Sequence, residues 1–201
     1  MLRTYKFEIR AESSEENGDY ICGRPIVFET RTDLGLFYEI IKDDALDKAN
    51  LNDVRFLINH NTDMIPLARS NICNENSTMK IEIDKKGMLI QVYLDTKNNL
   101  NARALYSAIK RKDITGMSFM FSIDDESWEN LDTDHPTRYI KKIGQVLEVS
   151  AVTFPAYEST EISARNKTDL QKAKQTSKDI EEKIKNQKIL NLEKSKILAL
   201  Y

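Results

Sequence analysis

The sequence predicts an α+β fold: a closed or nearly closed, mostly antiparallel β-barrel surrounded by a few helices, with a C-terminal helical appendage. Three observations carry this. Short stretches alternating apolar with polar residues, separated by turn residues, dominate up to Phe154. Helical spacing of apolar residues occurs in only about three places between them. After Arg165 glycine and proline vanish, and Lys, Gln, Asn and Glu take over. Closing the sheet would remove the exposed edges that so many short strands otherwise leave.

Taken in order, Tyr5 to Arg10 alternates as a half-buried strand does, and Glu12 to Asp19 is an acidic loop. Tyr20 to Thr30 reads as a strand in which Pro25 requires an edge position or a bulge. Thr32 to Gly35 is a turn, and Phe37 to Ile41 a strand. Asp43 to Asp47 reads as the first turn of a short helix, and Asn52 to Ile58 as another, capped by Asn52. The chain extends again around Pro66 to Arg69. Met79 to Asp84 and Met88 to Leu94 form a hairpin turning at Gly87. Asn98 to Lys112 carries Leu100, Ala104, Leu105, Ala108 and Ile109 at helical intervals. The Gly116 to Phe121 strand follows, then a polar insert with Trp128 and His135. Arg138 to Ile143 and Gln145 to Phe154 read as the last two strands, ended by Pro155. No internal repeat is visible.

The chain of 201 residues suits one domain with an appendage, placed at 1–165 and 166–201. The net charge of −2 is unevenly spread: residues 166–201 hold nine lysines against five acids, net +4, leaving −6 for the rest. That balance recruits neither nucleic acid nor an anionic membrane. No apolar run reaches the roughly 18–20 residues a span needs, and the N-terminal residues lack a signal peptide's apolar block. Cys22 and Cys73 are far apart and read as free thiols of a reducing cytosol. With no metal-ligand spacing and no glycine-rich phosphate loop, no metal and no cofactor is expected. The basic appendage reads either as a helix that pairs with another helix or as a solvated tail that folds on a partner.

Four side chains draw attention. Ser118 lies in an otherwise apolar strand, where alternation puts Ser118, Met120 and Ser122 on one face and Met117, Phe119 and Phe121 on the other. Glu148 sits among apolar residues, and alternation places Val146, Glu148 and Ser150 together. A carboxylate there faces solvent, or it has a cation, a hydrogen-bond network or a task. His60 ends an apolar run, as a surface or capping residue or as a base; His135 lies in a polar insert. A serine, a histidine and a carboxylate on separate elements are what acyl transfer requires. The hydroxyl is a weak nucleophile until an imidazole takes its proton, and the carboxylate orients that imidazole. Chain order is free in such systems, so His60, Ser118, Glu148 is admissible.

Several segments together resemble the tailed-phage prohead (procapsid) maturation proteases. They are Gly23 to Phe28 with Thr32 to Glu39; Asp53 to Asn61 with Leu67 to Ser70; Ile114 to Phe121; and Leu147 to Tyr157. They occur in that family's order over residues 20–165. Asn61 and Ala68 stand where an aspartate and a glycine are expected. The family is similar in fold to the herpesvirus assembly proteases, a closed barrel ringed by helices.

The resemblance implies a serine endopeptidase with Ser118 as nucleophile, His60 as general base and Glu148 as third member. The herpesvirus relatives use a second histidine, and His135 is the only candidate here, in an insert unlike that motif. Ser150, on the face assigned to Glu148, is placed to support the network. Backbone N–H groups would form the oxyanion hole, with Arg69 and Arg165 as weaker candidates to orient them. The implied substrates are scaffold protein, major capsid protein and the protease itself, cut inside a phage procapsid in the host cytoplasm. A homo-oligomer is admissible. The alternatives are a catalytically silent scaffolding protein of the same fold, and a simple binding domain in which Ser118 and Glu148 are core polar groups.

Overall fold

The computed structural model describes residues 9–15, 18–71, 76–154 and 160–198, with side chains in the last segment at 167–189 and 191. Among these residues ten strands and two helices are formed, and the strands make two sheets rather than one closed barrel. The first sheet is β1 (Ile9–Ser14), β2 (Gly18–Val27), β8 (Gly87–Tyr93) and β7 (Met79–Asp84), in that order and antiparallel throughout. The second is built on β10 (Thr137–Val152). On one edge β10 pairs with β9 (Gly116–Glu129) along nearly its whole length, antiparallel. On its other edge β4 (Tyr38–Ile41) and β5 (Asp53–Ile58) pair in parallel, end to end, with a bridge from Asn50 to Gln145 between them. β3 (Thr32–Asp33) and β6 (Ala68–Asn71) flank β4 and β5.

Exposed edges did not force closure because the chain blunts them by other means. β3 and β6 are two and four residues long, and β7 carries Lys80, Glu82 and Asp84 along a sheet edge. Short edge strands and edge charges both discourage further pairing. The two sheets approach each other beside β6 and β7, with the Thr78 N–H donating to Arg69 O at 3.0 Å.

The core lies between the sheets. Ile21, Ile26, Met88, Ile90 and Val92 face Val54, Phe56, Met117, Val146, Val149 and Ala151, all essentially inaccessible to solvent. Each such side chain contributes about 1.5–3 kcal/mol for the larger residues. The helix α1 (Leu100–Lys110) closes one end with Ala102, Leu105 and Ile109. Its N-cap Asn99 accepts from the N–H groups of Asn101 and Ala102. The predicted stripe was rotated: Leu100 is 75% exposed and Ala104 is also exposed, while Ala102 is buried.

The β7–β8 hairpin forms as predicted, and Gly87 there has φ 132° with no room for a side chain, since a Cβ would stand 2.1 Å from Ile26 O. The β2 register shifts between Gly23 and Ile26, the bulge that Pro25 demands. Two predicted helices are absent. Residues 43–48 form successive turns. The 53–58 segment is the central strand β5, with Val54 and Phe56 buried at period two. Its apolar run was too short for periodicity to separate helix from strand. The acidic loop predicted at 12–19 is largely strand, since β1 runs on to Ser14 and β2 begins at Gly18. Trp128 belongs to β9 instead of the polar insert, and the two predicted final strands are one, bent by bulges.

The helix α2 (Thr160–Leu198) is the appendage. At 1.5 Å per residue its 39 residues span about 58 Å. Asp169 reaches Arg138 at 3.4 Å. Further along, Ile180, Ile184 and Ile189 are exposed. Cys22 is a free thiol; Cys73 lies outside the described residues, as do the side chains of Leu192 and Ile197.

Candidate active site

The site is built on adjoining ends of β9, β10 and β5. Ser118 on β9 stands directly opposite Ser150 on β10, and Met120 opposite Glu148. On the other side Arg55 and Leu57 of β5 pair with Glu148 and Ser150. Cross-strand partners project from the same face, so Ser118, Met120, Glu148, Ser150, Arg55 and Leu57 share one surface.

Glu148 reaches that face through a bulge. Val146 pairs with Phe121, yet Glu148 pairs with Met120, so Leu147 is the extra residue. Val146 therefore faces the core with Phe119 and Phe121, whose rings stack at 4.9 Å, and Glu148 faces the other way. Regular alternation had placed Val146 and Glu148 together; the extra residue reverses this, and Leu147 is 40% exposed as a result.

His60 follows β5 on a tight turn. Asn59 and His60 both have positive φ, 51° and 57°, and the Asn61 N–H donates to Ile58 O at 3.0 Å. Two central residues of positive φ are the type I′ signature, which asparagine tolerates well. The turn is pinned to the end of β10. The Asn59 N–H donates to Ala151 O at 3.0 Å, the Thr153 N–H donates to Asn59 Oδ1 at 2.9 Å, and Asn59 Nδ2 donates to Thr153 Oγ1 at 3.2 Å.

So held, the imidazole meets the carboxylate. His60 Nδ1 lies 2.5 Å from Glu148 Oε1. Glu148 Oε2 accepts from Ser150 Oγ, and Ser150 Oγ accepts from the His60 N–H at 3.1 Å. Glu148 and Ser150 are buried, whereas the His60 side chain is 23% exposed. A carboxylate only accepts, so a carboxylate at Glu148 selects Nδ1 as the donating ring nitrogen and leaves Nε2 as the ring nitrogen away from Glu148. Ser118 is half-buried one strand across, and its hydroxyl makes no hydrogen bond among the described residues.

A family model described as caudovirus prohead serine protease matches residues 5–179. The chain belongs to this family. No curated protein and no solved structure matches it. Family membership places the chain in the serine-peptidase class of capsid-maturation proteins.

The other sequence candidates lie elsewhere. His135 is beyond the start of β10, with Nε2 3.1 Å from Asp33 Oδ1 and its ring 4.3 Å from that of Tyr38. Along β10, eleven residue steps lie between Thr137 and Glu148, which contacts the His60 ring, roughly 35 Å of extended chain. Arg69 is engaged by Asp53 at 2.5 and 2.9 Å, and its guanidinium holds the Asp53 carboxyl below the usual range. The Arg165 side chain lies outside the described residues.

Sequence reasoning missed the Asn59–Thr153 clamp. Asn59 directly before His60 was the available signal, since asparagine favours left-handed backbone. It also missed a buried charged cluster at the far end of β10. Arg138 donates to Glu126, lies 3.6 Å from Glu39 and 3.4 Å from Asp169, and sits over the rings of Phe37 and Trp128.

Among the described residues no cluster of His, Cys, Asp and Glu is suited to a metal ion, and no helix is long and apolar enough to cross a membrane.

Proposed function

We propose that the chain is a serine endopeptidase that cleaves scaffold and major capsid protein, and itself as a further substrate, within the phage procapsid. Ser118 Oγ attacks the scissile carbonyl while His60 Nε2 takes its proton. Glu148 holds the ring in the Nδ1–H tautomer and stabilises the imidazolium. The proton then passes from His60 to the leaving amine, and a water molecule activated by the same ring releases the acyl group from Ser118. Backbone N–H groups supply the oxyanion hole.

The observation that carries this reading is the 2.5 Å contact between His60 Nδ1 and Glu148 Oε1, on the sheet face that also presents Ser118. A buried carboxylate whose partners are an imidazole and a hydroxyl, with a further serine one strand away, is an arrangement that acyl transfer uses. In this reading residues 1–165 form the protease domain. Residues 166–201, net +4, are a separate appendage for association with other shell components or with further copies of the chain.

The test is co-expression with the cognate capsid and scaffold proteins. Wild type should process them, as read by gel and mass spectrometry, and Ser118→Ala should not. Equal processing by both would remove Ser118 from the mechanism. Absence of processing by either would favour a silent scaffolding protein of the same fold.

A further inference from the structure

We infer that Ser150 is a positioning residue for the catalytic histidine, its hydroxyl coupling the backbone of the His60 turn to the Glu148 carboxylate. The inference rests on the protease reading above and concerns the same site.

Buried serines ordinarily satisfy a nearby backbone carbonyl. Ser150 does something else. It is fully buried, and its one proton goes to Glu148 Oε2 while its oxygen accepts the His60 N–H at 3.1 Å. Both partners thus belong to the imidazole's own support. The two carboxylate oxygens are divided between them, Oε1 to the ring and Oε2 to Ser150. Rotation of the carboxylate away from the ring would break the Ser150 bond, and displacement of the His60 backbone would break the other. One hydroxyl therefore resists both motions that would separate the ring from its carboxylate.

The turn does not depend on Ser150 for its attachment. Asn59 ties it to β10 through Ala151 and Thr153. Deleting the hydroxyl leaves this clamp in place and frees only the His60 backbone and one carboxylate oxygen. His60 has φ 57°, a conformation that needs support from its surroundings. With the Asn59 clamp intact, Ser150→Ala is expected to fold and to loosen the His60 backbone and the Glu148 carboxylate, the two supports of the ring.

The experiment uses the full chain acting on its cognate major capsid protein. Ser150→Ala should lower kcat by about 10- to 100-fold, the range for losing a hydrogen bond to a charged group, with KM within about twofold. Ser150→Thr keeps the hydroxyl and should recover most of the rate. Proton NMR gives a readout independent of turnover. The proton on Nδ1, lying within the 2.5 Å contact between Nδ1 and Glu148 Oε1 in wild type, should resonate far downfield. It should be lost to solvent exchange in Ser150→Ala and return in Ser150→Thr. An unchanged rate and resonance in Ser150→Ala would overturn the inference. So would a Ser150→Thr protein that melts like wild type and recovers neither. Ser118→Ala, run alongside, separates the two claims. If it cleaves, Ser118 leaves the mechanism, and if wild type does not cleave, the protease reading fails; in either case the resonance still tests the hold on the ring. If only wild type cleaves and Ser150→Ala matches it, the positioning role alone fails.

Discussion

Glu148→Gln is the sharpest perturbation of the proposed mechanism, because it removes a charge and almost no volume. The Glu148 carboxylate is buried, and its Oε1 lies 2.5 Å from His60 Nδ1. During attack on the substrate that ring becomes an imidazolium. Two unit charges about 4 Å apart at an effective dielectric near 20 attract by about 4 kcal/mol. Glutamine retains a neutral acceptor worth about 1 kcal/mol. The difference, about 3 kcal/mol, appears only as charge develops on the ring, so it falls on kcat and lowers it by roughly 10²-fold. The amide can also turn its NH2 toward Nδ1 and impose the wrong tautomer, which would slow the enzyme further. The assay is the rate of capsid-protein cleavage with protease in excess, together with the rate of Ser118 labelling by a fluorophosphonate. His135→Ala, at the other end of β10, should leave both rates within about twofold. A Glu148→Gln protein within threefold of wild type would refute the reasoning, as would a larger loss in His135→Ala.

Two further outcomes follow from features remote from the site. Burial pushes the Glu39 carboxyl up from 4.5 to about 7; Arg138 opposes the shift, and Glu126 and Asp169 reinforce it. A carboxyl raised in the folded state favours folding below its unfolded value, and that advantage is lost as pH climbs from about 4.5 to about 7. The loss is about 3 kcal/mol, so the wild-type melting temperature should fall by several degrees over that window and that of Glu39→Gln should not; parallel curves would count against it. Gly87→Ala places a Cβ 2.1 Å from Ile26 O at a φ of 132°. It should cost about 2–4 kcal/mol in urea denaturation, and an unshifted midpoint would show that the hairpin yields freely.

The three residues singled out for catalysis sit on one sheet face or on the turn above it, and their chemical types announced them. A serine in a strand of Met and Phe, and a glutamate in a strand of Val and Ala, conflict with burial unless something compensates. Such conflicts between local pattern and environment are where sequence reading finds sites. Other features were illegible for definite reasons. The facing of Val146 against Glu148 depended on the extra residue at Leu147, and a bulge leaves no mark on alternation until the partner strand is known. The segment 53–58 was read as helix because its apolar residues fit either period until β10 and β6 flank it. The Arg138 cluster draws on β4, β9, β10 and α2, elements far apart in sequence.

By itself, then, the sequence determined the α+β class, the β7–β8 hairpin, the helical C-terminal appendage and the family. These rest on local backbone preference or on motifs of neighbouring residues, which do not wait for distant partners. The tertiary structure alone decided that the strands form two sheets rather than a barrel, and that the His60 ring meets Glu148. It also decided that Ser150 joins the two. Pairing register, sheet closure and side-chain contact are relations between segments some thirty to ninety residues apart, and their free energy exists only once the chain has brought those segments together.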